Sequence, residues 1–305
     1  MTACKVLLPE RRCEGRPGGK HGLRDAGVET TMSAFETIRI GPDPCIAVEH
    51  GGRGELVVLL HGIGGNRRNW RDTMSALAER FHVAAWDARG WGDSDDYDGP
   101  LSFEAMSGDL VRVLDHFGAA KAHIVGLSMG GKLAMHFVRL HPERVASLTL
   151  CDASRRRRAA DPQRLAEFVR SRQQPLLEGK EPRDIAGPVA RSLVSPSAQP
   201  GALEQLIDSM ERLHKAMYLK AIELLAYAPD PAGLDEVDVP ALVIVGADDT
   251  LTPIADAEDL AGIIPGARLA VIPNAGHLSN IEQPEAFNHA LLTFLEGVPA
   301  IHSQT

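Results

Sequence analysis

The sequence has few cysteines, no excess of positive charge and no long hydrophobic run. The four cysteines include no CxxC pair, so we expect neither a disulfide framework nor a zinc site. The net charge of -9 gives the chain no general attraction for nucleic acid or for anionic membranes. No apolar run reaches the roughly 18 residues of a transmembrane helix, so no membrane contact is predicted. These absences predict a soluble protein that acts on small molecules.

The N-terminal segment lacks both apolar periodicity and the features of a targeting signal. Its apolar stretch, within CKVLLPE, is too short for the hydrophobic region of a secretory signal. Acidic residues such as Glu10 and Glu14 are atypical of an Arg-rich transit peptide. We therefore expect residues 1–31 to form a disordered tail upstream of a natural start at Met32. The expected location is the cytoplasm, which also suits the few cysteines.

From residue 35 onward, short apolar segments alternate with amphipathic ones. Several apolar segments are continuous, as expected of strands buried on both faces. The alternation predicts an α/β fold with a mostly parallel, eight-stranded sheet covered by helices on both faces. The predicted strands are 36–40, 45–50, 56–61, 82–87, 122–126, 146–152, 241–246 and 267–273, and the predicted helices are 69–80, 102–117, 129–141, 254–263 and 284–296.

The alternation stops between residues 154 and 234, where no convincing strand occurs. This stretch has the spacing of three or four helices, followed by the linker PDPAGLDEVDVP. A helical insertion between two strands of a sheet predicts a cap over the sheet. We therefore expect a core of residues 32–153 and 235–305 and a helical cap of residues 154–234.

Five of the predicted strands are followed by glycine-rich or polar stretches. Ligands bind at the carboxyl ends of the strands in an open parallel sheet, so functional residues are expected in these stretches. They include Ser128 in GLSMGG, His277 in PNAGH, and Asp248 and Asp249 in GADDTLTP. The five stretches are 61–65, 87–94, 126–131, 246–253 and 273–277.

A serine, a histidine and an aspartate at strand ends suit nucleophilic catalysis. A serine hydroxyl is a weak nucleophile, so Ser128 would need a base, for which His277 is the candidate. A carboxylate would fix the tautomer of the imidazole and stabilise its cation. Three aspartates at strand ends are candidates for this carboxylate: Asp152, Asp248 and Asp249.

Together, these motifs resemble those of the α/β-hydrolase superfamily, over residues 35–298. Gly126-x-Ser128-x-Gly130 matches the nucleophile elbow of that superfamily, and the order serine, aspartate, histidine is its usual order. The resemblance implies that Ser128 and His277 are catalytic. The superfamily motif G-x-x-D favours Asp249 over Asp248, so Asp249 is the expected catalytic acid; Asp152 stays a rival, because some members draw their acid from that strand.

The resemblance also implies an oxyanion hole made by the backbone N–H groups of Ile63 and Met129. His61 and Gly62 would then shape the oxyanion loop, as Gly126 and Gly130 shape the elbow. The stretch Asp87–Ser94 matches a loop-shaping motif, in which hydrogen bonds would hold Arg89. No metal or organic cofactor is implied.

Single residues narrow the predicted reaction. The serine at position 128 disfavours haloalkane dehalogenases and epoxide hydrolases, which use an aspartate nucleophile. Leu127 disfavours carbon–carbon bond hydrolases, which often carry asparagine there, and Ile63 replaces the usual aromatic residue of haloperoxidases. The motifs most resemble those of 3-oxoadipate enol-lactonases and small-ester carboxylesterases. We expect a serine hydrolase that cleaves a carboxylic ester or lactone of a small, apolar or aromatic-derived substrate.

Several points stay open at this stage. A carbon–carbon bond hydrolase and a non-catalytic ligand receptor of the same fold are the alternative functions. Trp70, Leu127 and Met217 are the residues expected at the substrate pocket. The run Arg155–Arg158 is expected at a solvated cap entrance. The expected partner is the small-molecule substrate, and a homodimer is left open.

Overall fold

The computed structural model describes residues 35–155 and 162–301. The predicted disordered tail and the residues Arg156–Arg158 lie outside the described residues. Within the described part of the chain, no helix is both long and apolar enough to cross a membrane.

Eight strands form one sheet in the order β1-β2-β4-β3-β5-β6-β7-β8. The strand β2 runs antiparallel to β1 and to β4, and all other neighbours are parallel. The mostly parallel, eight-stranded sheet predicted from the sequence is thus confirmed. The strands are β1 (Glu36–Ile40), β2 (Ile46–Gly52), β3 (Leu56–Leu60), β4 (His82–Trp86), β5 (Ala122–Leu127), β6 (Val145–Cys151), β7 (Ala241–Gly246) and β8 (Arg268–Ile272).

The central strands are apolar along their whole length because helices cover both faces of the sheet. Every residue of β3, β5 and β7 is buried. The edge strand β8 has exposed residues at Arg268, Leu269 and Val271, as expected where one face or edge meets solvent. The ends of the predicted strands differ from those of the observed strands by no more than two residues.

The helices also follow the apolar periodicity. The first differs most from its prediction, because Arg67–Trp70 form a 3₁₀ turn, capped by the Asn66 side chain, before the α-helix begins. A four-residue helix after His277 was not predicted, since four residues are too few to show a period. The helices are α1 (Arg71–Leu77), α2 (Phe103–His116), α3 (Met129–Leu140), α4 (Pro162–Leu177), α5 (Pro182–Arg191), α6 (Ala202–Glu211), α7 (Lys215–Tyr227), α8 (Ile254–Ile263), α9 (Ser279–Glu282) and α10 (Pro284–Glu296).

Four of these helices, α4 to α7, lie between β6 and β7, and we call residues 162–227 the helical insertion. The described residues of this stretch include no strand. Leu206, Met210, Leu213 and Met217 are buried, so the insertion joins the apolar core of the protein rather than standing apart from it.

The described residues include two of the four cysteines. Cys45 is disulfide-bonded, whereas Cys151 is a free thiol buried at the end of β6.

Candidate active site

The turn between β5 and α3 holds Ser128 in a strained conformation. Its φ of 55° and ψ of -110° lie outside the regions that side chains ordinarily favour. Neighbouring backbone passes very close: a Cβ on Gly126 would lie 2.2 Å from the carbonyl oxygen of Gly130. A Cβ on Gly130 would lie 2.2 Å from the carbonyl oxygen of Leu60 in β3. Glycines on both sides therefore let the turn present Ser128 above the sheet.

Replacing Gly126 by alanine should disrupt this turn. The new methyl group would meet fixed backbone, so we expect a loss of about 1–3 kcal/mol in the free energy of unfolding. Urea unfolding measures this loss. Gly108→Ala in α2 is the matched control, because its Cβ would meet nothing within 4 Å. The control should be neutral or more stable by roughly 0.5–1 kcal/mol, as is usual for a helix interior. Equal effects of the two substitutions would contradict the close-packing argument.

The structure brings Ser128, His277 and Asp249 into one hydrogen-bonded chain. His277 Nε2 lies 2.9 Å from Ser128 Oγ, and His277 Nδ1 lies 2.9 Å from Asp249 Oδ2. Asp249 accepts further hydrogen bonds from Leu251 N at 2.7 Å, from Thr252 N at 3.0 Å and from Thr252 Oγ1 at 2.6 Å. A carboxylate with this many donors accepts the Nδ1 proton, which leaves Nε2 free to accept the proton of Ser128.

The electrostatics separate Asp249 from its rivals. Burial alone would raise the pKa of Asp249, but hydrogen bonding to His277, the charge of that imidazole and the Thr252 hydrogen bonds outweigh it and lower the pKa. At Asp152, burial and the nearby charge of Asp249 raise the pKa well above its ordinary value. The two carboxyl groups therefore differ in their tendency to ionise, and Asp249 is the one whose surroundings favour the charged form that supports an imidazolium.

The other two aspartates have partners away from the imidazole. Asp152 accepts hydrogen bonds from Gly246 N at 2.8 Å, from Ser279 N at 3.1 Å and from Ser279 Oγ at 2.6 Å, and so ties β7 to the loop after His277. Asp248 is exposed and accepts a hydrogen bond from Ser195 Oγ at 2.7 Å.

The loop after β3 lies directly beside the elbow. A Cβ on Gly62 would come within 3.2 Å of Ser128 Cβ. His61 Nε2 accepts a hydrogen bond from Ala88 N at 3.0 Å, so its Nδ1 carries the proton and donates to the Gly62 carbonyl at 2.8 Å. Burial lowers the pKa of His61 and keeps the imidazole neutral. His61 therefore joins the loops after β3 and β4 and has no hydrogen bond to Ser128.

Both residues predicted for the oxyanion hole lie near Ser128. Ile63 follows Gly62 and lines the cavity that contains Ser128. Met129 is the first residue of α3, so its N–H has no partner within the helix, while its side chain is buried.

The loop that contains Asp87 and Arg89 is held by ion pairs. Asp87 is fully buried and pairs with Arg67, whose backbone N–H it also binds at 2.8 Å. Arg89 donates two hydrogen bonds to Asp109, at 2.6 and 2.9 Å. These contacts account for both residues as supports of the loop.

A largely apolar cavity of about 870 Å³, including its opening to solvent, surrounds Ser128 and His277. Loops at the ends of the strands form the floor of the cavity. Its walls include residues of all four helices of the insertion. Trp70 and Leu127 line it, as expected. The other lining residues are His61, Gly62, Ile63, Gly64, Gly65, Asn69, Phe168, Arg172, Val189, Leu193, Leu206, Met210, Tyr218, Ile222, Leu225, Leu251, Leu278 and Asn280.

Met217 is not among the lining residues, contrary to the prediction. It packs instead against Gly90 of the loop after β4, where a Cβ would lie 2.1 Å from Met217 Cγ. Its helical neighbours Tyr218, Ile222 and Leu225 face the cavity. Helical spacing identifies the buried side of α7, but it does not tell which buried residues meet the cavity and which meet the core.

Arg155, the first residue of the predicted basic run, is held by the core. It pairs with Asp259 of α8, with Nε–Oδ2 and Nη2–Oδ1 distances of 2.5 and 3.1 Å.

Sequence reasoning missed Glu282, which holds the loop around His277. Its fully buried carboxylate accepts hydrogen bonds from Gly276 N at 2.8 Å, from Leu278 N at 3.0 Å and from Ser195 N at 2.7 Å. His277 N itself donates to the Leu193 carbonyl at 2.9 Å. The backbone on both sides of the imidazole is thus tied to one carboxylate and to the helical insertion. A glutamate five residues after His277 was the only sequence signal.

Replacing Glu282 by glutamine should misplace His277. The amide has one acceptor oxygen instead of two, so at least one buried N–H group loses its partner. We expect the free energy of unfolding to fall by about 1–3 kcal/mol. We also expect kcat to fall up to about 100-fold, since small misplacements of catalytic groups are costly. Unfolding curves and the rate of fluorophosphonate labelling of Ser128 measure the two effects separately.

Glu285→Gln is the matched control, because Glu285 is exposed in the first turn of α10. It should leave both stability and labelling rate nearly unchanged. If Glu282→Gln destabilised the protein but labelled at the wild-type rate, Glu282 would support the fold without positioning His277.

The family assignment rests on a match over most of the chain. The family model described as the alpha/beta hydrolase fold matches residues 55–284. The chain belongs to this family. The α/β-hydrolase architecture expected from the motifs is therefore confirmed. Within the described residues of this α/β hydrolase, no group of three or more His, Cys, Asp or Glu side chains is arranged to hold a metal ion.

The proteins similar to this α/β hydrolase include two that are named enol-lactonases and one that is named an esterase. The 3-oxoadipate enol-lactonase 2 of Acinetobacter baylyi is 30% identical over 247 residues, which cover 77% of this chain and 86% of that protein. A thermophilic esterase of Thermogutta terrifontis, solved with malate bound, is 32% identical with a TM-score of 0.78, covering 86% of this chain and 99% of its own. The enol-lactonase of Burkholderia xenovorans is 27% identical with a TM-score of 0.74, covering 83% and 97%.

Proposed function

We propose that this α/β hydrolase cleaves a carboxylic ester or lactone of a small, mainly apolar substrate through an acyl-enzyme. The observation that carries the proposal is the chain of hydrogen bonds from Ser128 through His277 to Asp249 at the wall of an apolar cavity. The names of the similar esterase and enol-lactonases support the same class of reaction.

Ser128 Oγ attacks the carbonyl carbon while its proton passes to His277 Nε2. Asp249 stabilises the imidazolium that forms, because its carboxylate is already ionised and hydrogen-bonded to Nδ1. The imidazolium then gives its proton to the departing alcohol, and the C–O bond breaks to leave the acyl group on Ser128. Water, deprotonated by the same imidazole, releases the acid and restores the serine.

The negative charge of the tetrahedral intermediate would lie between the backbone N–H groups of Ile63 and Met129. The strained turn brings Ser128 to the amino end of α3, where the helix dipole favours an anion. One such donor typically contributes about 3–4 kcal/mol to the stabilisation of the transition state.

The helical insertion acts as the cap in this proposal. It supplies the apolar walls, among them Val189, Leu206 and Ile222, while the core loops supply the catalytic groups. A mainly apolar cavity excludes water from the acyl-enzyme until the alcohol has left and selects the hydrocarbon part of the substrate.

Labelling with a fluorophosphonate probe tests the proposal. Intact-mass spectrometry should show one adduct, and peptide mapping should place it on Ser128. A panel of 4-nitrophenyl esters, aryl esters and small lactones should contain substrates, which separates ester hydrolysis from carbon–carbon bond hydrolysis. A native protein that takes up no probe and cleaves no ester would instead favour a non-catalytic receptor.

A further inference from the structure

One cavity-lining side chain stands out by its charge. Of the described side chains that line the cavity around Ser128, Arg172 of α4 is the only one with a full charge at neutral pH. It is half-buried, and its guanidinium carbon lies 5.4 Å from the ring centroid of Phe168, one turn earlier on the same helix. The ring supports the guanidinium from one side without neutralising it.

Arg172 also differs from the other shielded arginines in its partners. Arg67 and Arg89, for example, pair with the buried carboxylates of Asp87 and Asp109. Arg172 makes no ion pair with any carboxylate of residues 35–155 and 162–301. Asp184 borders a neighbouring surface pocket that Arg172 also reaches, yet it too makes no ion pair with Arg172.

A partly desolvated guanidinium that is not paired with a carboxylate of the protein can bind an anionic ligand. Its planar fork matches a carboxylate with two parallel hydrogen bonds. A substrate with a carboxylate could place this group at Arg172 while its ester carbonyl lies at Ser128, because both side chains line the same cavity. The apolar walls between them would hold the connecting hydrocarbon.

We propose that Arg172 binds a carboxylate group of the substrate, so that the enzyme prefers anionic esters or lactones over neutral ones. The inference rests on the proposed function and extends it from a reaction class to a substrate class. Arg172 is a specificity residue in this proposal, and the chemistry at Ser128 does not require it.

Two substrate pairs and three variants test the proposal. Mono-4-nitrophenyl adipate and 4-nitrophenyl hexanoate place the charge, or its absence, in the acyl half. The 4-carboxyphenyl and 4-carbamoylphenyl butanoates do the same in the alcohol half. Arg172→Met removes the charge and keeps the length of the side chain, and Arg172→Lys keeps the charge without the fork. Arg170→Met is the control, because Arg170 is exposed on the same helix and pairs with Glu167.

The wild type should prefer the charged member of one pair, and that pair identifies the half that carries the carboxylate. Arg172→Met should lower kcat/KM for this member by about 10- to 100-fold, as expected for a lost charged hydrogen bond, with little change for the neutral member. Arg172→Lys should fall between, and Arg170→Met should match the wild type. The preference of the wild type should also weaken at high salt.

Two results would overturn the inference: no preference for the charged member of either pair, or equal losses for both members in Arg172→Met. Turnover of neutral esters, with labelling of Ser128, would leave the proposed function standing in either case. If no ester were cleaved and Ser128 took up no probe, the proposed function would fail. Calorimetric binding of adipate would then decide the inference, which falls if the wild type and Arg172→Met bind it equally.

Discussion

Ser128→Ala is expected to lower kcat for any ester substrate by about 10⁶-fold, the scale seen when the nucleophile of a serine hydrolase is removed. The methyl group cannot attack the carbonyl, and the hydrogen bond from Oγ to His277 Nε2 disappears. KM should change far less, because the cavity walls stay in place. Steady-state kinetics with a 4-nitrophenyl ester measures both constants, and fluorophosphonate labelling should be lost as well.

Ser75→Ala is the matched control for this substitution. Ser75 is exposed on α1, and its hydroxyl donates only to the Arg71 carbonyl within the helix. The control should retain wild-type activity and labelling. Residual turnover in Ser128→Ala close to the wild-type level would mean that another group is the nucleophile.

Asp249→Asn is expected to lower kcat by about 10⁴-fold, as in other serine hydrolases with this arrangement. An asparagine amide can present its NH₂ group to Nδ1, and the imidazole would then carry its proton on Nε2. In that tautomer His277 cannot accept the proton of Ser128. The free energy of unfolding should fall only slightly, because the backbone N–H groups of Leu251 and Thr252 can still donate to the remaining side-chain oxygen.

Asp152→Asn is the comparison that decides between the two acids. Asp152 binds Gly246 and Ser279 but not His277, so its substitution should affect stability more than kcat. The assignment of Asp249 would be wrong if Asp249→Asn were nearly silent and Asp152→Asn caused the large loss. Circular dichroism and urea unfolding of both variants separate a fold defect from a chemical one.

Local patterns of apolar residues predicted all eight strands of the sheet. Strands such as β3 and β5 are buried on both faces and therefore appear as unbroken apolar runs. The helices between β6 and β7 could also be predicted from the sequence, because their apolar residues recur with a helical period and no strand pattern interrupts them. Short or locally irregular elements such as α9 carry too few residues for any period to show.

The residues of the site likewise divide into those whose role has a local cause and those that depend on tertiary contacts. Gly126 has a local cause, since its Cβ would meet the Gly130 carbonyl of the same turn, whereas Gly130 is needed because the turn passes close to Leu60 of β3. Glu282, Arg172 and Met217 depend on contacts across the fold. Glu282 binds backbone from the insertion as well as from its own loop, and the cavity face of α7 is set by how the helix packs on the loop after β4.

Sequence alone placed a serine, a histidine and several aspartates directly after predicted strands, because the apolar pattern of a strand and the chemistry of a turn are local properties. It favoured Asp249 as the acid through the family motif and kept Asp152 as a rival. Tertiary packing separates them, since it puts Asp249 Oδ2 at 2.9 Å from His277 Nδ1 and turns Asp152 toward Ser279. The charge state follows from the same packing: hydrogen bonding to His277 lowers the pKa of Asp249, whereas burial raises the pKa of Asp152.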